Sequence, residues 1–278
     1  EEERMSKLLH SNFERLKRYP IFWIEMILAI GYSIFVCMIL YQDMIRYEES
    51  VAMESILFNF LVLIGIVMAV FCSLFIGTEY SDGTIRNKLI IGHSRNNIFI
   101  SNFMLCMAVG LLIYFIAVVT TCAVGIPLFG WIQIKWSFCL LLFVDGALLC
   151  IAYAAIYNVI AMLTTNKAHT AIISTLVAFG LLFVTIWLYQ SLQQPEMMQQ
   201  AVMKGGEIEL ETVRNPDYLT GLKREIYQFI LDFIPSGQAT QISSLEVLHP
   251  YWMGIYSIII IFVFNLIGMI CFQKKDLK

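Results

Sequence analysis

The sequence predicts an all-α integral membrane protein with six spanning helices. Three observations carry this. Six apolar runs each reach the roughly 20 residues that a spanning helix needs. Of the 278 residues only 14% are charged, against 59% hydrophobic. Lys and Arg gather in alternate connecting segments. A soluble domain keeps about a quarter of its residues charged. Here mean hydropathy is +0.75, and bilayer is the solvent that tolerates such a surface.

The runs cover residues 21–41, 56–76, 98–126, 138–163, 170–189 and 251–272. Trp23, Trp131, Trp136 and Trp252 flank their ends, as in the aromatic belt of a membrane interface. The first run exceeds the roughly 7–15 residues of a signal-peptide core and carries no small-residue cleavage site, so it reads as a span. With the N-terminus inside, twelve cations fall on the inner side: Arg4, Lys7, Arg15, Lys17, Arg18, Arg86, Lys88, Arg95, Lys167, Lys274, Lys275 and Lys278. Six fall outside: Arg46, Lys135, Lys204, Arg214, Lys223 and Arg224. The positive-inside rule therefore sets both termini in the cytoplasm.

Four pieces do not span. Residues 1–19 precede the transmembrane domain 20–278, and within 4–18 Met5, Leu8, Leu9, Phe13 and Leu16 share a helical face opposite basic residues. This predicts an amphipathic helix on the inner membrane surface. Residues 77–97 form a polar inner segment, and a short loop joins the fourth and fifth spans. Residues 190–250 form a long outer loop. Its part 193–217 reads as polar and mobile. Its part 219–234 reads as a short helix, with Leu219, Leu222, Ile226, Phe229, Ile230 and Phe233 at helical spacing and Pro235 stopping it.

Several function classes are excluded. Net charge is -3, so there is no basic face for nucleic acid. The seven cysteines lie scattered through apolar runs and read as small buried hydrophobes, not as a disulfide framework or a metal site. None of the 16 glycines is followed by Lys, so a phosphate-cradling Gly-Lys-Ser/Thr loop is absent. Neither HExxH nor GxSxG occurs. His10, His93, His169 and His249 are dispersed and read as interfacial polar residues. The chain binds no cofactor of its own on this reading.

The informative stretch runs from Glu79 to Arg95. Ser81 can cap a helix, Asp82 sits where the helix dipole favours an acid, Ile85 and Leu89 share a face, and Gly92 can close it. Arg86 and Lys88 then project as exposed cations. Such a rigid element can carry a push from a partner into the membrane. An amphipathic connector whose charges only enforce topology fits the same residues.

The pattern GTEYSDGTIRNKLIIGHSRNNIFISN, residues 77–102, resembles the coupling-helix region of the type-2 ABC exporter permeases. In particular it resembles small bacterial members linked to peptide export, antimicrobial-peptide immunity and sodium extrusion. NPDYLTGLKREIYQFILDFIPSGQ, residues 215–238, resembles the segment before their sixth helix. The resemblance implies a permease in the bacterial cytoplasmic membrane, paired with a second permease copy or paralogue. It also implies separate ATPase subunits that carry ATP and Mg. Glu79, Gly83, Thr84, Arg86, Lys88, Ser94 and Arg95 match the coupling segment, the N-terminal helix an elbow helix, and the loop before the sixth span outer re-entrant helices. The insert 193–217 is longer than a minimal member has. The implied cargo is an amphipathic or hydrophobic molecule, such as a peptide or a lipid-like antimicrobial. A small ion such as sodium is the alternative, as is a peptide-sensing scaffold that transports nothing.

Polar residues inside spans are costly and therefore informative. Asp145 lies near mid-membrane in the fourth span, where it can line a polar path or glue helices together. Asn59 and Asn158 are further path candidates that also suit packing. Glu25 is near the inner end of the first span and is expected to reach the interface.

Overall fold

A computed structural model describes residues 2–204 and 207–276, with side chains from residue 5 to 201 and from 210 to 276. Lys278, counted in the charge asymmetry, lies outside the described residues, as do the side chains of Arg4 and Lys204. The elements in order are α1 (Glu2–Lys17), α2 (Pro20–Tyr47), α3 (Glu54–Leu57), α4 (Leu61–Ser81), α5 (Thr84–Ile90), α6 (Arg95–Phe129) and α7 (Trp136–Leu163). They continue with α8 (Lys167–Leu192), β1 (Met197–Lys204), β2 (Glu207–Arg214), α9 (Gly221–Phe233), α10 (Pro235–Ser244) and α11 (Pro250–Lys274).

Among the described residues six helices are long and apolar enough to cross a membrane: α2, α3 with α4, α6, α7, α8 and α11. Each contains one of the six sequence runs and extends it by a few residues at one or both ends. The extensions are polar turns such as Glu79–Ser81 and Arg95–Asn97, which complete backbone hydrogen bonding where the apolar pattern fades. Proline starts α2 and α11 at a position whose N–H would have no helical partner.

Burial orders the bundle. α4 and α7 are central, and α6 is intermediate. α2, α8 and α11 turn most of their apolar surface outward, as helices facing lipid do. Phe183, Ile186, Phe262 and Ile267 are among the exposed side chains. α7 packs on α11 and α4, α4 on α8, and α2 on α6. Lipid offers no hydrophobic drive between helices, so close backbone approach carries the packing. At Gly268 of α11 a β-carbon would come within 2.5 Å of Phe99 and 2.6 Å of Val159.

α1 lies across one end of the bundle, here termed the base, and packs on α6. Its inward stripe is Leu8, Asn12 and Leu16, while Phe13, expected on the apolar face, is 38% exposed. The base also carries α5 and both described chain ends.

The opposite end differs from the sequence reading in two ways. Residues 193–217, expected as a mobile polar insert, contain an antiparallel hairpin that pairs Met197 with Arg214 through Lys204 with Glu207. A two-stranded ribbon thus joins the all-α architecture. Pro235, expected only to stop α9, also opens α10 at its first turn. α10 is polar yet buried. Gln238 donates to the Asp232 and Met253 carbonyls at 2.9 and 3.2 Å and accepts from Ser257 at 2.7 Å. Buried amides tolerated in this way have partners for each polar atom.

Two cysteine placements also depart from expectation. Cys271 is exposed on α11 and Cys122 is half-buried, while the other five are buried. An outward-facing apolar helix does not hide its small residues.

Gly268→Val should force α11 away from α6 and α7. A loss of about 1–3 kcal/mol follows from overpacking, read as a lower melting temperature in detergent. Gly31→Ala on α2, where a β-carbon meets nothing within 4 Å, should leave the melting temperature unchanged.

Candidate functional site

The chemistry of the base centres on one carboxylate. Glu79 sits in the last turn of α4 and is fully buried. A helix C-terminus disfavours an anion, so this placement requires cations. Arg15 of α1 reaches Glu79 Oε1 at 2.8 Å, and Lys88 of α5 is ion-paired to the same oxygen. Asn102 of α6 donates to Glu79 Oε2 at 2.9 Å. The side-chain amide of Asn12 closes the ring. It donates to Asn102 Oδ1 at 2.9 Å and accepts from the Lys88 ammonium at 2.9 Å. Four elements, α1, α4, α5 and α6, are thereby fastened to one point.

Arg15 has further anchors. Its guanidinium lies 3.7 Å from the Phe75 ring centroid and donates to the Phe75 carbonyl at 3.4 Å. A planar cation on an aromatic face keeps its hydration cost low. Burial pulls the Lys88 ammonium below the ordinary lysine range, with the Glu79 carboxylate working against that shift.

This corrects the reading of α5. Lys88 was expected to project outward, but it is buried and points at Glu79. Ser81 does not cap α5. It ends α4, its hydroxyl donating to the Gly77 carbonyl at 3.2 Å. Gly83 takes the cap position at φ 68, a left-handed conformation that favours glycine, and Thr84 opens the helix. Ile85 is buried and Leu89 packs beside it, so the inward face is Ile85, Lys88 and Leu89. The outward face is Arg86, Asn87 and Ile90, followed by Ile91. Ile90 and Ile91 are 76% and 77% exposed. Gly92 follows at φ 95 and turns the chain toward Ser94, whose hydroxyl caps α6 by accepting from the Asn97 amide at 3.2 Å.

A second cluster ties the other helices at the base. Arg95 donates to the Phe272 carbonyl at 2.9 Å and to that of Lys275, so a cation closes the C-terminus of α11. Lys275 returns across the base to the Tyr80 hydroxyl at 2.9 Å and the Met162 carbonyl at 2.8 Å. The Tyr80 hydroxyl also donates to the Met162 carbonyl. Burial, aided by the nearby Arg95, lowers Lys275 to about 8.

Of the seven residues singled out in this segment, Glu79 and Lys88 meet directly. Gly83, Thr84 and Ser94 shape the turns, Arg95 serves α11, and Arg86 stands alone on the outward face. Asn12, Arg15, Asn102, Tyr80 and Lys275 were missed. Asn12 left a signal: it interrupts the stripe Leu8–Leu16 with an amide.

The path candidates are not brought together. Asn59 lies just before α4 and accepts from the Tyr32 hydroxyl at 2.6 Å. Asp145 of α7 is buried against Gly254 of α11, with Oδ2 unpartnered. Asn158 is fully buried and both of its side-chain polar atoms lack partners. Glu25 does not reach the interface as expected. It is 5% exposed and neither carboxylate oxygen has a hydrogen-bond partner among the described residues.

Breaking a buried ion pair from one side leaves an uncompensated charge and costs about 3–5 kcal/mol. Glu79→Ala should therefore lower the melting temperature sharply. Lys88→Met in a Glu79→Gln background should recover part of the loss that Glu79→Gln alone causes, because the buried Lys88 charge leaves with its carboxylate while Arg15, 30% exposed, keeps solvent and the Phe75 ring. Lys275 supplies a pH test. Its folded value lies below the ordinary lysine value of about 10.4. The folded chain thus binds fewer protons between about pH 8 and that value, and this group's contribution to stability rises with pH across the window. Amine-reactive labelling of Lys275, read by peptide mass spectrometry, should have a midpoint near pH 8 that moves upward in Arg95→Gln.

Comparison with known proteins agrees with this architecture. Residues 8–201 match the family described as ABC-2 family transporter protein, well over half of the chain, from α1 through all but the last of the six spans. No curated protein matches the chain. Six apolar helices, the match across five of them and the polar junction at the base agree: this chain is a multi-pass membrane component of ABC transporters and belongs to the ABC-2 family.

Proposed function

We propose that the chain is the permease subunit of an ATP-driven exporter and that α5 is its coupling helix, seated on a separate ABC ATPase in the cytoplasm. Family membership implies an ABC ATPase partner in general terms. The observation that supports α5 as the contact is the division of its two faces. One face is fixed by Glu79 to α1, α4 and α6, while the other presents Arg86, Asn87, Ile90 and Ile91. Two adjacent isoleucines exposed beside a cation make little sense in water and fit an apolar partner groove with an acidic rim.

In this reading ATP and Mg bind the partner chains. ATP-driven closure moves two α5 helices, one from each permease in a homodimer or heterodimer. The Glu79 junction passes the displacement to α1, α4 and α6, and the path between the permeases reopens outward. Both termini lie in the cytoplasm, by the Lys/Arg asymmetry, and the bacterial membrane follows from the resemblance of residues 77–102. The cargo is an amphipathic or hydrophobic molecule, a peptide or lipid-like antimicrobial. The scattering of the buried polar groups supports this over a small ion: Asp145, Asn59 and Asn158 share no hydrogen bond and form no continuous polar line among the described residues.

Arg86→Glu combined with Ile90→Ser should lower co-purification of the ATPase by about tenfold or more, since close like-charge contacts and a lost apolar anchor each cost on the order of 1–3 kcal/mol. The melting temperature should hold, because both side chains point away from the fold. Cargo-stimulated ATP hydrolysis should fall in parallel. Undiminished ATPase binding would show α5 to be a topological connector. Retained ATPase binding with no transport in reconstituted vesicles would favour the sensor reading.

A further inference from the structure

The opposite end of the bundle holds a cleft of about 490 Å³ between the end of α8, the turn at 216–220 and α9. Its volume is that of a small-molecule site. α8 contributes Trp187 and Gln190, which share one helical face, and Gln194 follows just beyond its end. α9 contributes Lys223 and Tyr227, and the turn contributes Asp217. The Trp187 and Tyr227 rings meet at 5.1 Å and form an aromatic wall.

Two features show that the site is built. The turn is held by Asn215, which is buried and donates to the Pro195 carbonyl at 3.0 Å from its side chain and to the Glu196 carbonyl at 2.8 Å from its backbone. Asn215 Oδ1 in turn accepts from the Asp217 amide at 3.0 Å, which fixes where the carboxylate stands. The charges of the cleft are also unspent. Among the described residues neither Asp217 nor Lys223 has an ion-pair partner, although both line the same space. Lys223 makes only a cation–π contact, 5.6 Å from the Tyr227 ring.

Depth identifies what reaches this cleft. Trp187 is twenty residues beyond Lys167, the first residue of α8. At about 1.5 Å per residue that is about 30 Å, the thickness of the hydrocarbon core. Taking Lys167 as the inner boundary puts Trp187 at the outer one, and Gln190, Gln194, Asp217 and Lys223, which line the same cleft, at headgroup level. Below, Phe183 and Ile186 are exposed toward acyl chains.

We propose that this cleft binds a zwitterionic phospholipid headgroup, its ammonium at Asp217 and its phosphate at Lys223, with the glycerol edge against Trp187 and Tyr227. A ligand of one sign would satisfy one of the two charges and be repelled by the other; a zwitterion satisfies both. The amides of Gln190 and Gln194 can serve ester and phosphate oxygens. The assignment depends on the chain lying in a bilayer, not on its transporting anything.

The test uses the full chain purified in mild detergent with equimolar phosphatidylethanolamine and phosphatidylglycerol, followed by native mass spectrometry. Phosphatidylethanolamine should be retained over phosphatidylglycerol by about tenfold. Lys223→Met should lower that retention. Asp217→Lys, which leaves two cations, should reverse the order in favour of phosphatidylglycerol. Unchanged melting temperatures establish that both exposed variants are folded. Free phosphoethanolamine added at millimolar concentration separates two sources of the same chemistry. Displacement of the lipid shows that the headgroup alone suffices, and a retained preference without displacement shows that the chains contribute; either supports the site. Equal retention of the two lipids by the unaltered chain, or a phosphatidylethanolamine preference that survives Asp217→Lys, would overturn it.

Discussion

Glu79 stands where lipid gives way to water, at the end of a helix whose dipole opposes its charge, and is shielded from solvent altogether. An unpaired charge in that position would unfold the base, so the surrounding helices must deliver cations and donors to it. They come from α1, α5 and α6, which also pack together through Leu8, Leu16 and Ile85. The position of α1 on the base, the direction in which α5 faces and the register of α6 beside α4 all satisfy the same carboxylate. A buried network of this kind is worth more as a determinant of geometry than as net stability, because its desolvation cost is large. It fixes one arrangement of four elements and penalises every other.

The two ends of the bundle solve the same problem differently. At the base, charge is neutralised by charge: Glu79 by Arg15 and Lys88, and the C-terminus of α11 by Arg95. At the other end the buried groups of α10 are mostly neutral amides and hydroxyls, and Asp232 is held by Gln228, Gln241 and His249 at 2.7, 3.0 and 2.9 Å. The neutral amides among these partners cost less to desolvate than charged groups do.

The spans were legible because membrane solvation imposes a strong, local and additive signal: some 20 apolar residues in a row need no knowledge of neighbours. The hairpin was legible in principle and missed. Met197–Lys204 and Glu207–Arg214 flank Gly205-Gly206, a two-residue hairpin signature, but a polar composition masked the pairing. The junction was only half legible. The segment around Glu79 stood out by its motif, yet its partners at 12, 15 and 102 are brought to it by tertiary contact. No local pattern encodes a pairing across 64 or 23 residues. Asn12 came closest, as an amide on an apolar stripe.

The direction of Lys88 changes what α5 can do. At 100° per residue, positions 85, 88 and 89 fall on one side of the helix and 86, 87 and 90 on the other. Had Lys88 faced outward, as its charge alone suggested, the helix would have met the bundle through Ile85 and Leu89 only, and two aliphatic contacts let a seven-residue helix roll. An ammonium held by both a carboxylate and the Asn12 amide resists rotation as well as separation, because both acceptors have direction. Rolling α5 by one residue would strip Glu79 of a cation and carry Ile90 toward the polar cluster. The outward face of Arg86, Asn87 and Ile90 is thus presented in a fixed orientation, set by the contacts of Lys88 and Ile85 on the inward face.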